Sequence, residues 1–317
     1  MHRKRTLLFS PSVILNLLTV ALSLVTFGKS KAQAIDWIEL DQTALQLISE
    51  KVEDEEKIRL NRLLKEQLQK GISAAKAPKT IPANVENVSV LSPEDSSFQL
   101  FNWVIAWKNG SYSYECALKH YGKKANHSFQ FLRQVMAEDE EAEEMTVFNR
   151  SEWLGGFYYE LIEKKTKLQT YYTLLAWVGK DRLVTKKYID VLWFTSAGEI
   201  RFGAPIFQKE KQRKNRIVFR FGAEHAMALS YEIEKDRIEF DALMPRRSDL
   251  EGMYEFYFPD ISFSKNAYQW DEEKEVWVFQ EAVNLRTAKP SEERAIEREK
   301  EKLIKPKKSL YTPDSNP

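Results

Sequence analysis

Hydrophobic positions recur with two different periods along this 317-residue chain. Between residues 41 and 75 the period is helical. Leu45, Ile48 and Val52 fall at i, i+3 and i+7, and Leu60, Leu64, Leu68 and Ile72 recur every four residues. Asp41 is placed to cap an N-terminal amphipathic helix, and Gly71 marks a frayed end. The charged interval Glu53 to Lys57 divides the two apolar stripes. Residues 76 to 84 contain Pro78 and Pro82, which disfavour both helix and central strand, so this stretch reads as a linker.

From Val85 to Arg286 the period changes to two. Phe101, Trp103, Ile105 and Trp107 alternate with smaller or polar residues; after Asn109-Gly110, Tyr112, Tyr114, Cys116 and Leu118 do the same. A two-residue Asn-Gly turn would pair Trp107 with Tyr112, Ile105 with Tyr114, Trp103 with Cys116 and Phe101 with Leu118. That register puts Cys116 in a hydrophobic face, where a thiol is a poor nucleophile. Met227 to Ala242 repeats the pattern around Lys235-Asp236, pairing Ile233 with Ile238 and Tyr231 with Phe240. Tyr171 to Val178 and Tyr188 to Phe194 are apolar on both faces and are expected to be central strands. Phe157 to Ile162, Ile217 to Phe221 and Met253 to Phe258 complete the set, with short connections at 179–182, 195–198 and 271–274.

These spacings predict a mainly β fold: an antiparallel meander closed as a sandwich or barrel-like sheet. No fixed repeat supports a propeller. The domain plan is a leader at 1–34, helix and linker at 35–84, the antiparallel β domain at 85–286, and a charged, partly disordered tail at 287–317.

The leader decides the compartment. Met1-His2-Arg3-Lys4-Arg5 is basic, Leu7 to Gly28 is mostly apolar and uncharged, and Ala32-Gln33-Ala34 has the small residues of a cleavage site. That order is a secretory signal peptide. An uncleaved anchor competes with it, since 22 residues can span a bilayer, but Pro11, Ser10, Ser12, Asn16 and Ser23 dilute the segment. The expected location is periplasmic or extracellular. No cysteine stands near residue 34 to carry a lipid. The leader holds five Lys/Arg and no acid, so what remains has 43 basic and 47 acidic residues and a net charge of −4. This balance excludes the electrostatics of a nucleic-acid binder. Cys116 is the single cysteine, so no internal disulfide staples the domain and its stability must come from a core.

The strand phrases Tyr171-Tyr172-Thr173-Leu174-Leu175-Ala176-Trp177, Lys187-Tyr188-Ile189-Asp190-Val191-Leu192 and Phe202-Gly203-Ala204-Pro205-Ile206-Phe207 resemble a family of exported Bacteroidota proteins. So do Ser96 to Phe101 and Trp277-Val278-Phe279. The resemblance covers about residues 96 to 286. It implies an exported, β-rich domain and carries no activity and no catalytic residues.

Candidate chemistry is sparse. Asp190 shares a strand face with Tyr188, Leu192 and Phe194; it is either a functional buried carboxylate or the partner of a Lys or Arg. Glu224-His225 with Asp241 across the nearby hairpin would make a proton-transfer or metal site, although an ordinary loop histidine is the simpler reading. Glu138 to Glu144 is acidic, and Lys209 to Arg216 holds five basic residues against one acid. Each reads as a solvated loop. The basic loop with Arg246-Arg247 could meet an acidic glycan or phosphate group. No serine-hydrolase elbow, phosphate-binding glycine loop or metal-ligand spacing occurs, so no residue is assigned a catalytic or metal-binding role and no cofactor is implied. The expectation is a non-catalytic module binding a protein or glycan, or serving envelope assembly. The alternative is an envelope hydrolase using paired carboxylates, which need no local motif.

Overall fold

A computed structural model describes residues 35–82, 84–121, 128–260 and 264–284. The leader and the 287–317 tail lie outside them.

The N-terminal helical segment is a pair of helices. α1 (Trp37–Leu47) starts at Asp36, whose side chain accepts from the N–H groups of Ile38 and Glu39 at 3.1 and 3.0 Å. α2 (Asp54–Ile72) opens with Asp54, Glu55 and Glu56, which favour the positive end of the helix dipole. Asp41 is therefore not a cap. It is buried within α1 and accepts from the backbone N–H groups of Glu86, Asn87 and Val88. The early start also resets the phase: Leu40, Ala44 and Leu47 are buried, whereas Leu45 and Ile48 are exposed. The expected stripe of Leu60, Leu64, Leu68 and Ile72 is buried as read.

Four sheets follow. The first has the order β1 (Ser89–Leu91), β2 (Phe98–Ala106), β3 (Tyr112–His120), β4 (Phe129–Phe131). The second runs β5 (Phe148–Asn149), β9 (Ile200–Phe202), β8 (Val184–Phe194), β7 (Thr170–Gly179), β6 (Phe157–Lys165), with β12 (Ile217–Gly222) also paired to β8. The third runs β11 (Gln212–Lys214), β10 (Phe207–Lys209), β18 (Val276–Asn284), β17 (Ser264–Asp271), β14 (Arg237–Phe240), β13 (Leu229–Glu232). A separate ribbon pairs β15 (Leu243–Pro245) with β16 (Tyr257–Pro259). Pairing is antiparallel apart from the β10–β18 joint and one bridge between Gln134 and Trp153. Among the described residues the sheets are open and not closed into a barrel.

Three apolar clusters lie between successive layers. One joins α1 and α2 to Phe101, Trp103, Ile105 and Ala117. The next joins Leu100, Tyr114, Cys116 and Leu118 to Tyr158, Leu174, Tyr188 and Leu192. The third joins Leu175, Ile189 and Val191 to Ile238, Phe240, Tyr268 and Trp277. β7 and β8 are covered on both faces, as their composition requires.

Both hairpin registers differ from the reading above. In the first, Ala106 faces Tyr112, Trp103 faces Glu115 and Asn102 faces Cys116. The turn spans three residues, with Gly110 at φ +88° and hydrogen bonds from Gly110 N to Trp107 O and from Trp107 N to Ser111 O. A one-residue slip exchanges faces. Trp103 consequently faces the helices, while Cys116 faces the second sheet; both sides are buried. In the second hairpin Tyr231 faces Ile238, a shift of two that preserves the faces. The turn is lengthened by a 3-10 turn at Ile233–Lys235 and by Asp236 at φ +48°, which leaves Ile233 78% exposed. Met253 to Phe258 is not one strand: Tyr254–Phe256 forms a 3-10 turn before β16.

Candidate functional site

The densest polar arrangement sits where β8 and β12 pair. Lys186 stands directly opposite Arg220 in that register. Like charges across strands repel and need an anion between them. The short helix α3 (Glu140–Met145), capped by Asp139 through a 2.7 Å bond from Ala142 N, supplies it. Glu143 accepts from Lys186 Nζ at 2.6 and 2.9 Å, from Arg220 Nη2 at 2.6 Å and from the Tyr188 hydroxyl. Burial alone would push its carboxyl up; the two cations and the hydroxyl outweigh that and hold it below the usual carboxylate range.

The surrounding chain extends the cluster. Arg220 also lies 3.6 Å from Glu140, and Glu140 accepts from Tyr254 OH at 2.7 Å. Lys214 pairs with Glu144, and Asn215 Nδ2 donates to the Met145 carbonyl. The backbone N–H groups of Asn215 and Arg216 both donate to Glu144 O at 3.1 Å. Arg216, fully buried, donates from Nη1 to Glu143 O at 2.6 Å and stacks on Phe148. The acidic run and the basic loop are thus not two independent solvated loops. They meet, because α3 crosses the end of the β11–β12 connection.

Asp190 lies behind this cluster. Its Oδ1 is 2.8 Å from Arg216 Nε in an ion pair, and its Oδ2 accepts from Tyr158 OH at 3.0 Å. Tyr158 OH in turn accepts from Trp153 Nε1 at 2.9 Å. Of the two readings offered for Asp190, the geometry matches the partnered acid. Among the described residues Arg216 Nη2 is buried with no hydrogen-bond partner.

The other candidates stand apart. Asp241 Oδ2 accepts from Ala228 N at 2.7 Å. His225 contacts its neighbour Glu224 at 3.4 Å and packs near the Phe258 ring. Arg247 is held by Asp249 through two bonds of 3.0 and 2.8 Å. Arg246 is exposed, with its backbone N–H bonded to Phe256 O. Among the described residues no hydrogen bond or ion pair joins any two of Asp190, His225, Asp241, Arg246 and Arg247. Nor do three His, Cys, Asp or Glu side chains converge as metal ligands.

Sequence reasoning missed Glu143, Lys186, Tyr188, Arg216 and Arg220. A usable signal existed: Lys186 and Arg220 are charges inside largely apolar strands. It also missed Lys187, whose side chain points to the opposite face of β8, over the Tyr159 ring at 5.7 Å. Burial pushes the Lys187 amine down to about 8, against a smaller raising effect of Asp241.

A second internal ion is held by aromatics. Lys164 Nζ lies 5.4 and 5.2 Å from the Trp270 and Trp277 ring centres and binds Asp236, which also accepts from Tyr231 OH.

No protein-family model, curated protein or solved structure matches the chain. No described helix is long and apolar enough to cross a membrane.

Proposed function

We propose that this is an exported protein of the periplasm or cell exterior, akin to the β-rich Bacteroidota family it resembles, and that it acts as a non-catalytic binding or envelope-assembly module. The observation that carries this reading is the use made of its buried acids. Asp41, Glu143, Asp190 and Glu239 are the buried acidic residues among the described residues, and the partly buried Glu163, whose carboxylate oxygens are also buried, contacts Lys165 at 3.0 Å. Asp41 is held by backbone N–H groups, Asp190 by Arg216 and Tyr158, Glu143 by Lys186 and Arg220, and Glu239 by Arg237. Such acids fasten structure. A hydrolase working through paired carboxylates needs one acid free to take up or release a proton at the reacting bond.

The test is a thermal-shift panel of glycans, peptides and metals on the full chain, run beside chromogenic glycosides. A ligand that raises the unfolding temperature by several degrees without being turned over supports the reading. Turnover abolished by a single Asp→Asn or Glu→Gln change overturns it. Export is tested by fractionation and intact mass: a chain beginning at Ile35 outside the cytoplasm is expected, and full-length protein retained in the cytoplasm contradicts it.

A further inference from the structure

We propose that the surface formed by Lys186, Tyr188, Arg216 and Arg220 is a recognition site for an acidic peptide, and that residues 136–147 are a strap filling it in cis through Glu143. This rests on the binding-module reading and names its ligand.

From residue 133 to residue 147 the only buried residue is Glu143. The strap's large apolar side chains are exposed, Met136 at 89% with Met145 and Val147, and Ala137 packs against the core. The flanks are fixed, by Val135 N bonded to Trp153 O and by Phe148 in the core. Between them, attachment is mainly polar and runs through the carboxylates of Glu140, Glu143 and Glu144 and three peptide carbonyls.

Those carbonyls identify the ligand as a peptide. Arg216 Nη1 donates to Glu143 O, the Asn215 and Arg216 N–H groups to Glu144 O, and Asn215 Nδ2 to Met145 O. An acidic glycan would supply the carboxylate but not that ladder of amide oxygens. Among the described residues the fully buried Arg216 Nη2 has no hydrogen-bond partner, while its Nε is paired with Asp190. The strap is more acidic than its attachment requires: six of the seven residues from Glu138 to Glu144 are acids, and Glu138 and Glu141 make no ion pair among the described residues. A competing acidic segment meets a basic, aromatic-edged floor once the strap lifts, and its apparent affinity is reduced by the fraction of time the strap is seated.

Hydrogen exchange of the full chain at 0.1 M salt, with and without polyglutamate, tests this. Strap amides at 136–147 are expected to exchange at least tenfold faster than those of β8, and faster again with polyglutamate. Because Glu143→Gln alone can unfold the region, a second variant changes only outward-facing acids: Glu138→Gln with Glu141→Gln. It is expected to bind polyglutamate several-fold more tightly than the parent. Strap exchange as slow as that of β8, unaltered by polyglutamate, overturns the proposal. A response to polygalacturonate and not to polyglutamate also overturns it, in favour of a glycan. If polyglutamate is inert while another ligand shifts the melting temperature, this site assignment falls and the binding-module reading stands; turnover in the glycoside assay removes both.

Discussion

Lys186 and Arg220 face each other across β8 and β12, and both donate to the carboxylate of Glu143. Two cations in cross-strand contact are tolerated because an acid from a third segment bridges them. Truncating Glu143 leaves the largely buried Lys186 without its counter-ion and Arg220 with only Glu140, 3.6 Å away. Replacing such an acid costs about 3–5 kcal/mol when the partners remain.

The Glu143 carboxyl is held below the ordinary value of 4.5. A depressed acid contributes its stabilisation above the unfolded-state value and loses it as pH falls through the folded-state value. Chemical denaturation of the parent and of Glu143→Gln should therefore differ by a constant amount near neutral pH. The gap should close as pH drops below 4.5. A gap that persists unchanged to pH 3 contradicts the assignment.

Lys187 costs stability where Glu143 contributes it. Burial lowers its amine from 10.5 to about 8, so between those values the unfolded chain binds more protons and stability rises with pH. Lys187→Met, close in volume, removes a desolvated cation. It is expected to stabilise the protein by about 1–3 kcal/mol at pH 7, with the advantage fading toward pH 10.5. Urea melts at pH 7 and pH 10 measure this; a destabilised variant at both pH values would show that the ammonium is needed where it stands.

Asn102 joins the first sheet to the second. It is fully buried, its Oδ1 accepts from Tyr158 N at 2.9 Å and its Nδ2 donates to Tyr158 O at 3.3 Å. The bond falls at the register shift between Tyr158 and Glu160, where β6 departs from regular pairing with β7. Asn102→Ala strands both backbone groups and should cost about 1–3 kcal/mol. Asn102→Asp should cost more, since a carboxylate can accept from Tyr158 N but cannot donate to Tyr158 O. Equal stability of all three proteins in guanidinium denaturation would refute the linkage.

How much of this was legible depends on range. The two-sided strands, the stripe from Leu60 to Ile72 and the burial of Cys116 follow from local pattern, and all are present. The first hairpin register did not follow. Both of its faces are buried, so apolar alternation could not distinguish Trp103 opposite Cys116 from Trp103 opposite Glu115; Gly110 decided it by closing a three-residue turn. The partner of Asp190 was out of reach for another reason. Arg216 lies 26 positions away, in a loop whose charge density suggested solvent. Charge blocks report composition, and only the topology that lays α3 over β12 shows that two of them neutralise one another.

Cys116 offers a readout of core integrity. Burial pushes its thiol up, with the nearby Glu115 charge adding to the effect. A disulfide reagent should leave the native protein unmodified and titrate one thiol in guanidinium. Rapid full reaction of native protein would show that this layer opens readily.

The double-mutant cycle on Glu143 and Arg220 bears most directly on a strap held by charge recognition. Glu143→Ala, Arg220→Ala and the double variant are compared with the parent by urea denaturation at pH 7 and 0.1 M salt. Direct recognition through the 2.6 Å contact should give a coupling of about 2 kcal/mol or more, with the double variant far less damaged than the sum of the single changes. Additive effects, with coupling within about 0.5 kcal/mol of zero, would mean that α3 is held by something other than the carboxylate seated between Lys186 and Arg220.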